Sequence, residues 1–190
     1  MWPQIRTAVL LFAVMTLLTG VIYPLSVTGL AQALFPRQAN GSLIKISEEK
    51  TASELVGQPF SESRYFWGRP SATMPVAYNG AASTGSNLGP SNPALKEAVQ
   101  ARIAALRSAD PANQLPVPVD LVTSSGSGLD PHISPAAALY QVSRVAKARG
   151  INEKKVAELV RMQIQNRLFG IFGEPTVHVL HLNMALDAMR

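Results

Sequence analysis

Residues 7–36 read TAVLLFAVMTLLTGVIYPLSVTGLAQALFP, an uncharged run bounded by Arg6 and Arg37. The other long uncharged run, between Arg69 and Lys96, is rich in Gly, Ser, Asn and Pro instead of apolar residues. A hydrocarbon core of about 30 Å is crossed by roughly 20 apolar residues in a helix, so residues 7–36 can span it with turns to spare. This predicts a short flank at residues 1–6, a transmembrane helix at 7–36 and an extramembrane domain at 37–190. A cleaved signal is the competing reading: residues 1–6 are short and basic, and Ala31-Gln32-Ala33 has the small-x-small form of a cleavage site. Apolar character persists through Val21, Ile22, Leu25, Val27 and Leu30, longer than the usual ~7–15-residue signal core. Length therefore favours an uncleaved anchor.

Within the anchor, Thr16 and Gly20, then Gly29 and Ala33, put small residues one helical turn apart, where another backbone can come close. Pro24 lacks an N–H and is expected to kink the helix or end its first segment. Basic residues near the two ends nearly balance, Arg6 against Arg37 and Lys45. A short N-terminus ahead of a signal-like segment favours N-terminus inside and domain outside.

The remaining residues suffice for one domain with its own core. From Arg37 onward 16 basic side chains face 12 acidic ones, so the pI near 9.8 rests on a small excess without a basic block. Nucleic acid is disfavoured as a partner. The absence of cysteine excludes disulfides, thiolate metal sites and a cysteine nucleophile.

Along the domain, Asn40-Gly41-Ser42 signals a turn before a short strand at 43–46, and residues 48–57 suggest a short helix. Tyr65, Phe66 and Trp67 lie between Arg64 and Arg69. In a strand three adjacent aromatics cannot share one stacking face, so an interface cluster with flanking arginines is favoured over a base-binding platform. Residues 79–93 read as an ordered polar loop. A helix capped by Ser91 or Asn92 carries Leu95, Val99, Ile103 and Leu106 as far as Asp110. A strand follows at 116–123, then a helix from Ser134 to a C-terminal Gly150. A second helix opened by Asn152 carries its apolar stripe to Leu168, and residues 176–182 form a strand before a short helix capped by Asn183. The fold class is α+β: one N-terminal transmembrane helix followed by a single mixed domain.

No catalytic motif closes. The loop at 124–132, SSGSGLDPH, lacks the G-x-S-x-G elbow, the lysine of a phosphate-binding loop and the third glycine of a dinucleotide fingerprint. His178 and His181, in a strand, would point to opposite faces and could not share a metal. Asp120, Asp130 and Glu174 form no recognisable acid–base pair.

Long ordered matches carry a family resemblance: Thr19-Gly20 and Tyr23-Pro24, FPRQANGSLI at 35–44, YFWGRPSAT at 65–73, and GSNLGPSNP at 85–93. The longest is DLVTSSGSGLDPHISPAAALYQVSRVAKARG at 120–150, followed by Gly173-Glu174-Pro175 and Leu182-Asn183. Together they resemble the KdpC family of the bacterial Kdp potassium-transporting P-type ATPase, with Ala52, Ser143 and the last histidines as departures. The resemblance implies a non-catalytic accessory subunit that supports assembly and raises the ATP affinity of the hydrolysing subunit. Implied partners are a channel-like potassium-binding subunit, the P-type ATP-hydrolysing subunit, a small lipid-like subunit and membrane lipid, at the bacterial inner membrane. Nucleotide contact is associated with the region of Gln141, which on a helix reads as a polar surface residue. No strongly bound cofactor is expected, and ATP would come through the complex. Expected partner-interface residues are Thr16, Gly20, Pro24, Gly29, Ala33, Tyr65, Phe66, Trp67 and Arg69. The alternatives are a membrane-anchored extracytoplasmic hydrolase using Asp130 and His132, and a binding protein released after Ala33.

Overall fold

The computed structural model describes residues 1–46 and 51–189 of the chain. They fall into two units, Met1–Ile44 and Lys45–Arg190. In the first, α1 (Trp2–Leu17) passes through a π turn (Leu18–Ile22) into α2 (Tyr23–Leu34). The continuous helix Trp2–Leu34 has 33 residues, about 50 Å of rise, and none of its residues is buried. It begins ahead of Arg6. Pro24 neither ends nor breaks it: Ile22 and Tyr23 keep right-handed helical angles. The wider π turn just before the proline receives its ring and absorbs its missing donor. The helix stops at Phe35, and Pro36–Ala39 forms one further turn, α3. Gly41, at φ +84°, makes the predicted turn into β1 (Leu43–Lys45).

In the second unit, β2 (Thr51–Ser53) occupies part of the stretch expected to be helical. Residues 48–50 of that expectation lie outside the described residues. The loop at 79–93 is held by hydrogen bonds, including Thr84 N–H and Ser83 Oγ to the carbonyl of Ser127 at 3.0 Å each. Then α4 (Pro93–Ala109) starts where Asn92 accepts from the Ala94 N–H, as its cap pattern predicts. The expected strand at 116–123 is instead one 3-10 turn, Val119–Leu121. Its Asp120 carboxylate is committed elsewhere, accepting from Ser134 N–H at 2.6 Å and Ser134 Oγ at 3.1 Å.

Strand β3 (His132–Ile133) leads to α5 (Pro135–Tyr140), whose Ser134 cap accepts from Ala137 N–H. The single helix expected from Ser134 to Gly150 is two, α5 and α6 (Val142–Arg149), jointed at Gln141. Gly150, at φ +66°, ends α6 in the left-handed conformation that the sequence foretells. After α7 (Glu153–Met162) the apolar stripe leaves the helix: Ile164 enters β4 (Ile164–Gln165), and Leu168 lies in a hairpin bridged to Phe172. Strand β5 (Thr176–His178) is shorter than predicted because α8 (Val179–Ala188) begins there, placing Asn183 inside a helix instead of capping one.

The sheet is antiparallel in the order β3-β5-β4, with His132 opposite His178 and Ile164 opposite Val177. Helices α5 and α8 pack on β5, with α6 and α7 against the other helices, and Val145, Val156, Val160, Val177 and Leu182 lie in the core with Phe66. The domain is α+β, and its core sits between these helices and the small sheet.

Candidate interaction site

The aromatic segment has no regular structure of its own, so its backbone groups need partners. Side chains from α6, α8 and the joint between α5 and α6 supply them. On the joint between α5 and α6, Gln141 accepts from Trp67 N–H at 2.8 Å and donates to Trp67 O at 3.1 Å. From α8, Asn183 does the same for Phe66, at 2.9 and 3.0 Å. From α6, Arg144 donates to Ser63 O and Tyr65 O, and Arg149 to Arg64 O. Two amides thus read main chain as a neighbouring strand would, each through one acceptor and one donor.

Burial lowers the pKa of Arg144 to about 10, leaving it charged at neutral pH. Its guanidinium lies 4.1 Å from the centre of the Trp67 ring and donates to Gln141 Oε1 at 2.5 Å. Tyr65 is fastened at the other end by Arg149 over its ring and by its hydroxyl to Asp187 at 3.3 Å.

Beside Trp67 an open cavity of about 320 Å³ is lined also by Phe60, Arg69, Tyr78, Arg102 and Leu121. Tyr78 donates to Arg69 O at 2.5 Å; its ring lies against Gly57, where any Cβ would clash with it, and its hydroxyl would lie 2.7 Å from a Cβ at Gly68. Burial pushes its phenol up to about 12. Arg69 pairs with Asp130 at 3.1 Å. Burial acts to raise the Asp130 pKa, but hydrogen bonds from His132 and Arg69 outweigh it and hold the carboxyl below its ordinary value.

The chain's three histidines converge. His132 meets His178 edge-on at 5.0 Å, and His178 stacks on His181 at 4.1 Å. The strand expected at 176–182 kept the last two apart; the start of α8 at Val179 brings them onto one turn. They are not poised for a metal. His178 Nδ1 caps α8 by accepting from His181 N–H, so its Nε2 carries the proton that bonds to Glu54 O at 2.8 Å. Among the described residues no group of three His, Asp or Glu could hold an ion.

The expected interface residues divide. Phe66 is fully buried and belongs to the core, because Asn183 draws its backbone between the helices. Tyr65, Trp67 and Arg69 stay half-exposed along the ridge. Thr16, Gly20, Pro24, Gly29 and Ala33 are exposed on the long helix, and nothing lies within 4 Å of a Cβ built at either glycine. Gly29 and Ala33 share a face of α2, whereas Gly20 sits in the π turn, off the regular line from Thr16. Gln141, expected on the surface, is 1% exposed with its amide engaged. Sequence reasoning missed Arg144, Arg149 and Asn183, since an arginine on a helix carries no sign that it turns inward.

These features define a class: an α+β domain with a laced aromatic ridge, carried on one N-terminal helix long enough to cross a membrane. Residues 5–188 match the family described as KdpC, K+-transporting ATPase, c chain. The "Potassium-transporting ATPase KdpC subunit" of Methylococcus capsulatus is 61% identical over 97% of both chains. Those of Sorangium cellulosum (60%, all of both chains) and Polaromonas naphthalenivorans (60%, 98% of this chain and 95% of the other) are similar. The chain belongs to the KdpC family and is a subunit of a potassium-transporting ATPase.

Proposed function

We propose that the chain is a non-catalytic accessory subunit that helps to assemble the pump and raises the ATP affinity of its hydrolysing subunit. The observation carrying the assembly role is the long helix. None of its 33 residues is buried, and its glycines leave room for close approach by helices of the channel-like, hydrolysing and small lipid-like subunits. The ridge of Tyr65, Trp67 and Arg69 is the second contact.

The non-catalytic reading rests on how the polar groups are spent. Asp130 holds Arg69 and His132, and among the described residues no serine or threonine hydroxyl bonds to the His132 ring. That disfavours a hydrolase built on the pair. A direct nucleotide contact at Gln141 would require its buried amide to release Trp67 and Ala137. The effect on ATP affinity is therefore exerted through contacts with the hydrolysing partner.

Reconstitution tests this. The purified chain alone should hydrolyse no ATP, and pump assembled without it should need more ATP for half-maximal turnover. Turnover by the isolated chain, or an unchanged ATP dependence, refutes the proposal. The domain is proposed to face outward from the inner membrane. A Ser83→Cys variant labelled by an impermeant reagent only after lysis would overturn that placement.

A further inference from the structure

After β4 the chain turns through a hairpin whose exposed side chains are Leu168, Phe169, Ile171 and Phe172. Their fractional exposures are 63, 83, 72 and 64%. We propose that this tip is a lipid-inserting finger that fastens the extramembrane domain to the bilayer surface, in addition to the transmembrane helix.

Four observations carry it. Four large apolar side chains stand exposed within five residues, unlike the scattered single residues of an ordinary surface. Its backbone is closed on itself: Leu168 N–H bonds to Phe172 O at 2.9 Å and Phe172 N–H to Leu168 O at 3.0 Å. Ile171 N–H and Gly170 N–H also find partners, in Leu168 O and Arg167 O. Four of the five N–H groups of residues 168–172 are thus paired; the Phe169 N–H and the carbonyls of Phe169, Gly170 and Ile171 make no such bond, which sets the insertion at the interfacial depth where water and headgroups still reach main chain. Phe169 holds φ +54°, a region costly for a bulky residue, and this keeps a ring at the apex where no packing within the chain rewards it. At the base, Arg167 pairs with Glu174 at 2.6 Å, a charged collar suited to the headgroup level.

Lipid fits better than a protein groove. Protein interfaces are enriched in Tyr, Trp, Phe and Arg and carry a hydrogen bond every ~100–200 Å², whereas this tip offers, beside its two Phe, only Leu and Ile, with most of its N–H groups spent.

The inference rests on residues 2–34 crossing the membrane, and the test separates the two. The chain has no cysteine, so single variants Phe169→Cys, Lys154→Cys and Val14→Cys of the full chain can each carry one environment-sensitive dye. They are reconstituted in phosphatidylethanolamine–phosphatidylglycerol vesicles with nitroxide-bearing lipids. A finger in lipid gives blue-shifted, quenched emission at 169 and at 14 but not at 154. Adding Leu168→Ser and Phe172→Ser to the 169 variant should relieve much of that quenching, which a dye inserting by itself would not show. Emission at 169 matching that at 154 while 14 is quenched overturns the finger alone; no quenching at 14 overturns the membrane helix and the finger with it. Shielding at 169 that appears only when the other pump subunits are added, without lipid quenching, assigns the tip to a protein groove and also overturns it.

Discussion

Replacing Gln141 with leucine removes an amide that is 1% exposed and strands the N–H and C=O of Trp67, which its side chain satisfies at 2.8 and 3.1 Å. Each buried main-chain group left unpaired costs about 1–3 kcal/mol, so the pair costs ~2–6 kcal/mol. Arg144 loses its bond to Oε1 but keeps Ser63 O and Tyr65 O, which limits the damage to the upper part of the segment. For a domain of this size each kcal/mol moves the midpoint by about 2–4 °C, so a fall of ~4 °C or more is expected. The assay is thermal unfolding of the full chain in detergent, read by circular dichroism and by fluorescence of Trp67, whose ring is packed under Arg144. Gln141→Glu retains the acceptor and its bond to Arg144 but loses the donor to Trp67 O, and should fall between parent and leucine variant. The reasoning is refuted if Gln141→Leu melts with the parent while the ATP affinity of the assembled pump drops, for then the residue serves nucleotide and not the ridge.

Gly128 holds φ +68°, and a Cβ there would lie 2.5 Å from Thr84 O; Gly128→Ala should cost at least the ~1–2 kcal/mol of a left-handed residue, seen as a lowered unfolding midpoint. Burial, aided by His132 and His181 and opposed by the bond and charge of Glu54, lowers the pKa of His178. The unfolded chain therefore binds the extra proton first. The stability from keeping His178 neutral is complete above its unfolded value near ~6.5 and is lost as pH falls through the lower folded value. Unfolding midpoints of the parent should drop on acidification more steeply than those of His178→Gln. Gly29 has open space around it, so Gly29→Leu should leave the unfolding midpoint unchanged while reducing co-purification of the other pump subunits.

Much of the scaffold is written locally. Asn92, Ser134 and Asn152 each cap the helix that their pattern announces, and Gly150 ends one in the left-handed region. These signals act over three or four residues, which a linear reading captures. The misreadings occur where distant partners outbid local preference. Pro116 to Leu121 looks extended, but Asp120 is drawn off by Ser134, fourteen residues on. The stripe running to Leu168 suits one long helix, but Ile164 and Val177 pair as strands instead. His178 has strand character and also the side chain to cap α8, and the cap ends the strand.

By itself the sequence determined the apolar helix, the helix caps and, through ordered stretches such as residues 120–150, the family. Each depends on residue identity and spacing along one continuous segment. Only the tertiary structure decided that Phe66 is core, that Gln141 and Asn183 lace the aromatic ridge from 74 and 117 residues away, and that three histidines meet. Such pairings form because buried main-chain groups must find partners in space, and the choice among candidate amides is made by how helices pack. The hairpin is the converse case: Leu168, Phe169, Ile171 and Phe172 are hydrophobic enough for a core, and only their placement in the fold shows that they are left outside it.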